Sequence, residues 1–188
     1  VSTLRIEPAT PERLADLEDL FGAKGACGGC WCQWWRLPRA EFVKGKGEPN
    51  RLALRRQVEA GPPPGVLAYR GEQAVGWCAV APRADYPRLA RSRTLAAVDE
   101  QPVWSISCLF VRRGHRQQGV SEALLRAACA FAVQRGARLV EAYPIDARGA
   151  RTPDAFAWTG LLSAFERAGF AEVARRSESR PIVRWSAP

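Results

Sequence analysis

Residues 110–128 read FVRRGHRQQGVSEALLRAA: the end of an apolar strand, a basic turn carrying Gly114 and Gly119, then an apolar helix. The first amides of a helix have no intrahelical acceptor. Together with the helix dipole they form a site for an anion. Gly119 lets a ligand approach the backbone without meeting a Cβ, and Ser121 is too small to crowd it. Arg112, Arg113 and Arg116 place positive charge around the mouth of the turn. Neither G-x-x-x-x-G-K-[ST] nor G-x-G-x-x-G is present, so the two best-known phosphate loops are set aside.

The stretch before it, PVWSISCLFV (102–111), is rich in β-branched and aromatic residues and predicts a central strand. A helix over about 117–135 follows, with Val120, Leu124, Ala127, Ala128 and Phe131 on one face and a stop at Arg135-Gly136. Toward the N-terminus, LRIEPA (4–9) predicts a strand, and Thr10-Pro11-Glu12 starts a helix whose buried stripe is Leu14, Leu17 and Leu20. Residues 22–49 show no sustained period and predict a long loop with short helical pieces; a helix over about 50–60 ends at Gly61. Strands at 65–70 and 73–82 flank Gly71-Glu72 as a hairpin. Toward the C-terminus come a strand at 138–144, a loop from Asp146 to Pro153, a helix over roughly 155–168, and a closing pair, FAEVAR and RPIVRW. The order predicts an α/β fold: a mixed, partly antiparallel central sheet flanked by helices, in a single domain spanning 1–188.

The 188 residues carry a net charge of +9, almost all of it from arginine, which favours anionic partners without choosing among them. The arginines are spread along the whole chain, which counts against a nucleic-acid groove. No apolar run approaches the ~20 residues of a membrane span, and the N-terminus shows no secretory pattern, so the expectation is a cytoplasmic protein without a membrane partner. Cys78, Cys108 and Cys129 fall within apolar patterns and read as buried thiols, not as a disulfide framework.

Arg116-Gln117-Gln118-Gly119-Val120-Ser121 after an apolar strand resembles the R/Q-x-x-G-x-G/A signature of the GNAT superfamily of acyl-CoA N-acyltransferases. LLSAFERAGFAEVARR (161–176) resembles that family's fourth motif, a helix ending in Gly-Phe before a strand, and the element order agrees from residue 4 to 185. The resemblance implies acetyl-CoA as acyl donor and direct transfer to an amine in a ternary complex. It implies pyrophosphate over the amides of Arg116, Gln117, Gln118, Gly119, Val120 and Ser121, and a pantetheine arm along Leu109, Phe110 and Val111. A homodimer is compatible with it, and no metal is expected. The chain departs from the family pattern at Phe165, where a proton-donating tyrosine is frequent, and at Trp158, near a frequent asparagine. An alternative is therefore a member that binds acyl-CoA as a sensor without turnover.

Substitutes for the acid and base are read from the residues themselves. In RLVEAYPID, alternation puts Leu139, Glu141 and Tyr143 on one face. Facing a cleft, Glu141 would be a base and Tyr143 a proton donor; facing an arginine, Glu141 would be an ion-pair partner and Tyr143 packing. The resemblance adds Ser107, which stands where some relatives place a base, as a candidate relay through water. The resemblance implies that the segment CGGCWCQWWR (27–36) walls the acceptor pocket, with Trp31, Trp34 and Trp35 either in that wall or as anchors of the loop; Asp146, after the strand, is a candidate partner for an ammonium group. Cys27, Cys30 and Cys32 lack a neighbouring fourth ligand for a structural zinc site, which only distant Cys78 or an acidic residue could supply, and a redox-sensitive thiol pair is the other reading.

Overall fold

The computed structural model describes residues 3–147 and 157–188. In chain order the elements are β1 (Leu4–Pro8), α1 (Leu14–Phe21), α2 (Arg39–Lys44), α3 (Glu48–Ala60), β2 (Gly65–Arg70), β3 (Gln73–Pro82), α4 (Pro87–Ala90), β4 (Trp104–Val111), α5 (Val120–Val133), β5 (Leu139–Ala142), α6 (Leu162–Arg167), β6 (Ala171–Arg175) and β7 (Pro181–Ser186). The strands form one sheet in the order β1-β2-β3-β4-β5-β7-β6. Only β4 and β5 run parallel; the other neighbours are antiparallel. The parallel step is made through α5, as a crossover between parallel strands requires.

Two layers cover the sheet. Val120, Leu124, Leu125, Ala128 and Phe131 of α5 bury against Val75, Cys78, Ile106, Leu109 and Val111. On the opposite face Leu14, Leu17, Leu20 and Phe21 of α1 and Leu54 and Val58 of α3 pack on Leu67, Tyr69, Trp77 and Cys108. The change from Ile106 to Leu109 and Val111 on a single face marks a break in alternation. It arises because Ala79 pairs with Cys108 while Val80 pairs with Ile106, leaving Ser107 as the extra residue of a β-bulge.

The structure departs from the sequence reading at two helices. α5 begins at Val120, three residues after the expected start, because Gln117 (φ +58°) and Gly119 (φ +77°) hold the chain in left-handed conformations. Of the helix expected over 155–168, only Leu162–Arg167 is helical among the described residues. Residues 157–161 instead form an extended turn, with Leu161 bridged to Ile145. The turn depends on Gly160, whose φ is +81° and where a Cβ would lie 2.7 Å from Cε2 of Phe165. Part of the expected 146–153 loop and of that helix lies outside the described residues. Among the described residues no helix is long and apolar enough to cross a membrane.

Gly160→Ala is expected to lower stability by about 1–3 kcal/mol, from left-handed strain and the Phe165 contact together. Urea unfolding followed by circular dichroism measures it; a loss below about 0.5 kcal/mol would refute the close packing of this turn.

Candidate active site

β5 pairs with β4 only through Trp104, Ser105 and Ile106, and then the two strands part. β4 runs on to Val111, so among the described residues its β5-side edge has no strand beside it from Ser107 onward. Unpaired strand amides need another acceptor. The N–H of Leu109 finds one in the carbonyl of Trp158, at 2.7 Å. The turn that supplies it is tied to the end of β5, where Ile145 N–H donates to Gly160 O and Leu162 N–H to Ile145 O, both at 2.9 Å.

At Val111 the edge runs into the basic turn. Arg116 Nε donates to Val111 O at 3.0 Å and Gln118 Nε2 to Gly114 O at 3.0 Å, which fold the loop back on itself. Arg112 is held against α1 by Asp19 at 2.7 Å. α5 has 14 residues and no side-chain cap at Gly119. Among the described residues the amides from Gln117 to Glu122 take no acceptor, and a Cβ built on Gly119 would meet nothing within 4 Å. An uncapped helix dipole thus opens to solvent at the end of a strand edge that accepts extended chain.

On the α1 side of the sheet the bulge turns Ser107 and Cys108 toward one face. Ser107 is buried beside Tyr86, whose phenol burial pushes up to about 12. Beside it, Tyr143 Oη meets Ser105 Oγ at 2.8 Å and accepts from Arg83 Nη1 at 2.5 Å; burial raises its pKa. Glu141 is 1% exposed, with Arg184 at 2.6 Å and Arg83 at 3.6 Å. Arg184 also binds Asp99 at 2.8 Å.

Residues 31–151 match the model of the acetyltransferase (GNAT) family. The chain belongs to that family. No curated protein matches it in sequence. Solved GNAT structures share its fold. An acetyltransferase of the family from Listeria monocytogenes superposes with a TM-score of 0.59 at 10% identity, over 98% of this chain and 95% of that one. PaiA N-acetyltransferase from Thermoplasma acidophilum, in complex with coenzyme A, gives 0.55 at 11% identity over 98% and 99%. NAA60 of Arabidopsis thaliana, in complex with acetyl-CoA, gives 0.54 at 15% identity over 98% and 100%.

Seen as a GNAT fold, the sequence candidates divide. Leu109, Phe110, Val111 and the turn from Arg116 to Ser121 lie together along the free edge and the α5 N-terminus. Glu141 and Tyr143 do share a face, but they face arginines: both oxygens of Glu141 are engaged by guanidiniums, and Tyr143 is fully buried. That arrangement corresponds to the ion-pair alternative for Glu141, not to an open base. Asp146 is bound by Arg175 at 2.8 Å, so an ammonium group would have to compete for it. Trp31 belongs to the core: it is 5% exposed and packs 5.7 Å from Phe21, away from the other two tryptophans of its segment. Trp34 and Trp35 gather with Trp158, at ring separations of 6.4 and 6.0 Å.

The sequence reading missed Tyr86 and Arg83, whose only signal is their position in an unremarkable turn, RADYP. Phe165 is fully buried and packs against Phe170 at 5.2 Å, beneath Gly160. Among the described residues no three His, Cys, Asp or Glu side chains gather to hold a metal. Cys32 Sγ accepts from Trp77 Nε1 at 3.3 Å and from the Cys108 thiol, and the Cys108 hydrogen bond lowers its pKa while raising that of Cys108. Cavities of about 370 Å³ beside Glu18, Trp31 and Arg51, and of about 710 Å³ between Tyr86, Trp104 and Leu139, lie off the free edge of β4.

Glu141→Gln leaves Arg83 and Arg184 facing a neutral amide in a buried setting, and is expected to cost about 2–4 kcal/mol of stability. Chemical denaturation tests this; a neutral substitution would mean the network carries no net interaction.

Proposed function

We propose that this GNAT member transfers an acetyl group from acetyl-CoA directly to an amine. The observation that carries the proposal is the β4 edge, which beyond Ile106 has no strand beside it among the described residues and leads straight to the uncapped N-terminus of α5. An extended pantetheine arm, with its amides, is suited to pair with Leu109 and Val111 as a further strand would, and the diphosphate to lie on the amides from Arg116 to Ser121. Acquiring that arm requires the Leu109 N–H to exchange the Trp158 carbonyl for a carbonyl of the donor. The turn at residues 157–160 therefore shifts when acetyl-CoA binds.

In the chemical step the neutral amine attacks the thioester carbonyl, a carbon–nitrogen bond forms, and the carbon–sulfur bond breaks. The oxyanion formed between these events needs a donor, and the backbone N–H groups freed at the β4 bulge and edge are the nearest fixed ones. The proton lost by the amine must travel through hydroxyls or water, and the departing thiolate must gain one. Ser107 and Tyr86, neighbours at the bulge, are assigned this relay. With a pKa pushed up to about 12, Tyr86 keeps its proton at neutral pH and acts as donor, not as resident base. Glu141 and Tyr143 are assigned as positioning residues: they hold Arg83 and Ser105, and so fix the point at which β4 and β5 part. Trp34, Trp35 and Trp158 form the acceptor wall.

Gly119→Glu should raise the acetyl-CoA dissociation constant by at least about 10-fold, since a carboxylate beside a diphosphate repels it. Isothermal titration calorimetry on the folded variant decides; full affinity would place the diphosphate elsewhere. Trp35→Ala should raise the acceptor KM about 10-fold while changing that of acetyl-CoA less. The reverse order in a thiol-release assay would remove Trp35 from the wall. Acetyl-CoA binding with no free CoA released over a broad amine panel would make the protein a sensor.

A further inference from the structure

Among the described residues, the carboxylates bordering the tryptophan wall are already neutralised. Glu141 faces Arg184 and Arg83, Asp99 faces Arg184, Asp85 lies 3.6 Å from Arg36, and Asp146 faces Arg175. Two guanidiniums on the same border have no carboxylate among the described residues. Arg180 is partly buried in the β6–β7 connection and donates only to neutral oxygens, Tyr143 O at 3.4 Å and Thr159 Oγ1 at 3.1 Å. Thr159 directly follows Trp158, so Arg180 stands beside the wall. Arg88, from α4, lies 3.8 Å over the ring of Trp34 and donates to that residue's carbonyl at 2.8 Å. Burial pulls both arginines below their ordinary pKa, and Arg39 adds to the effect at Arg88. The indole N–H of Trp35, in the same cluster, is buried with no hydrogen-bond partner among the described residues.

A desolvated guanidinium bonded only to neutral oxygens is costly unless an anion completes it. A plain ammonium acceptor would meet the opposite of what it needs among the described residues: positive charge in excess and the bordering carboxylates in use. We propose that the acceptor is an amine bearing a carboxylate, bound through that carboxylate by Arg180, with its apolar body against Trp34, Trp35 and Trp158. One guanidinium matches one carboxylate in charge and in its paired N–H geometry. Arg88, on the Trp34 ring, adds to the positive field without needing direct contact. The same field favours the neutral form of the acceptor's amine, the form that attacks. This inference rests on the acetyltransferase reading and specifies its substrate class.

The test pairs L-tryptophan with tryptamine and L-phenylalanine with phenethylamine in a thiol-release assay, alongside calorimetric titration of L-phenylalanine and phenethylamine into the CoA complex. The carboxylate-bearing member of each pair should be preferred by about 10- to 100-fold in kcat/KM or in affinity, the range for a hydrogen bond to a charged group. Arg180→Gln should collapse that ratio toward one, with a smaller change in the KM of acetyl-CoA, and Arg180→Lys should recover part of it. Equal handling of the two members, a preference for the decarboxylated amine, or no binding of L-phenylalanine to the CoA complex would each overturn the proposal. So would an Arg180→Gln variant that slows both members equally. Failure of acetyl-CoA itself to bind would instead strike the acetyltransferase reading, which separates the two outcomes.

Discussion

The early parting of β5 from β4 organises the molecule. Three residues of β4 hold β5, and the rest of its edge carries amide and carbonyl groups that must find partners elsewhere. One is met by Trp158, on a turn that only a glycine at position 160 allows so close to Phe165 and Leu109. The bulge at Ser107 lies just where the pairing ends, and it rotates the strand so that Leu109 and Val111 remain on the α5 face while Ser107 and Cys108 look the other way. The open edge and the polar face are thus two sides of a single irregularity in one strand.

Around that irregularity the charges are arranged unevenly. Glu141 is buried with two guanidiniums and a phenol, and Asp99 extends the chain of contacts toward the surface through Arg184. Such a group is expensive to bury and tolerates few arrangements, so it fixes the geometry of the β4–β5 junction more than it adds stability. Arg88 and Arg180 stand outside this balance, bonded to oxygens without charge. The asymmetry bears on substrate choice: on the proposed reading the site receives negative charge at both ends, diphosphate at α5 and a carboxylate at the tryptophan wall.

Much of the fold was legible in local pattern. The hairpin strands at 65–70 and 73–82 match the structure residue for residue, because Gly71 and the flanking β-branched and aromatic residues specify a turn between two strands without help from distant parts. The basic turn was legible too, since glycine spacing and a following apolar helix are local facts. The helix expected over 155–168 shortened to Leu162–Arg167 because Leu161 pairs with Ile145, a contact that no helical period announces. Trp31 looked like its neighbours in CGGCWCQWWR, yet its left-handed backbone, φ +43°, turns it inward to Phe21 while Trp34 and Trp35 turn out to Trp158.

By itself the amino-acid sequence determined the order of elements, the single mixed sheet and the glycine-bearing basic turn before α5, because each depends on residues close together in the chain. Which carboxylates and arginines neutralise one another was decided only in three dimensions. Glu141 meets Arg83 and Arg184 across separations of many tens of residues, and the contact exists only once β5, β7 and the turn after β3 are assembled. Ion pairing acts over a few ångströms and is blind to sequence distance. A lone carboxylate in a strand reads alike as a base or as a strut until its neighbours are in place.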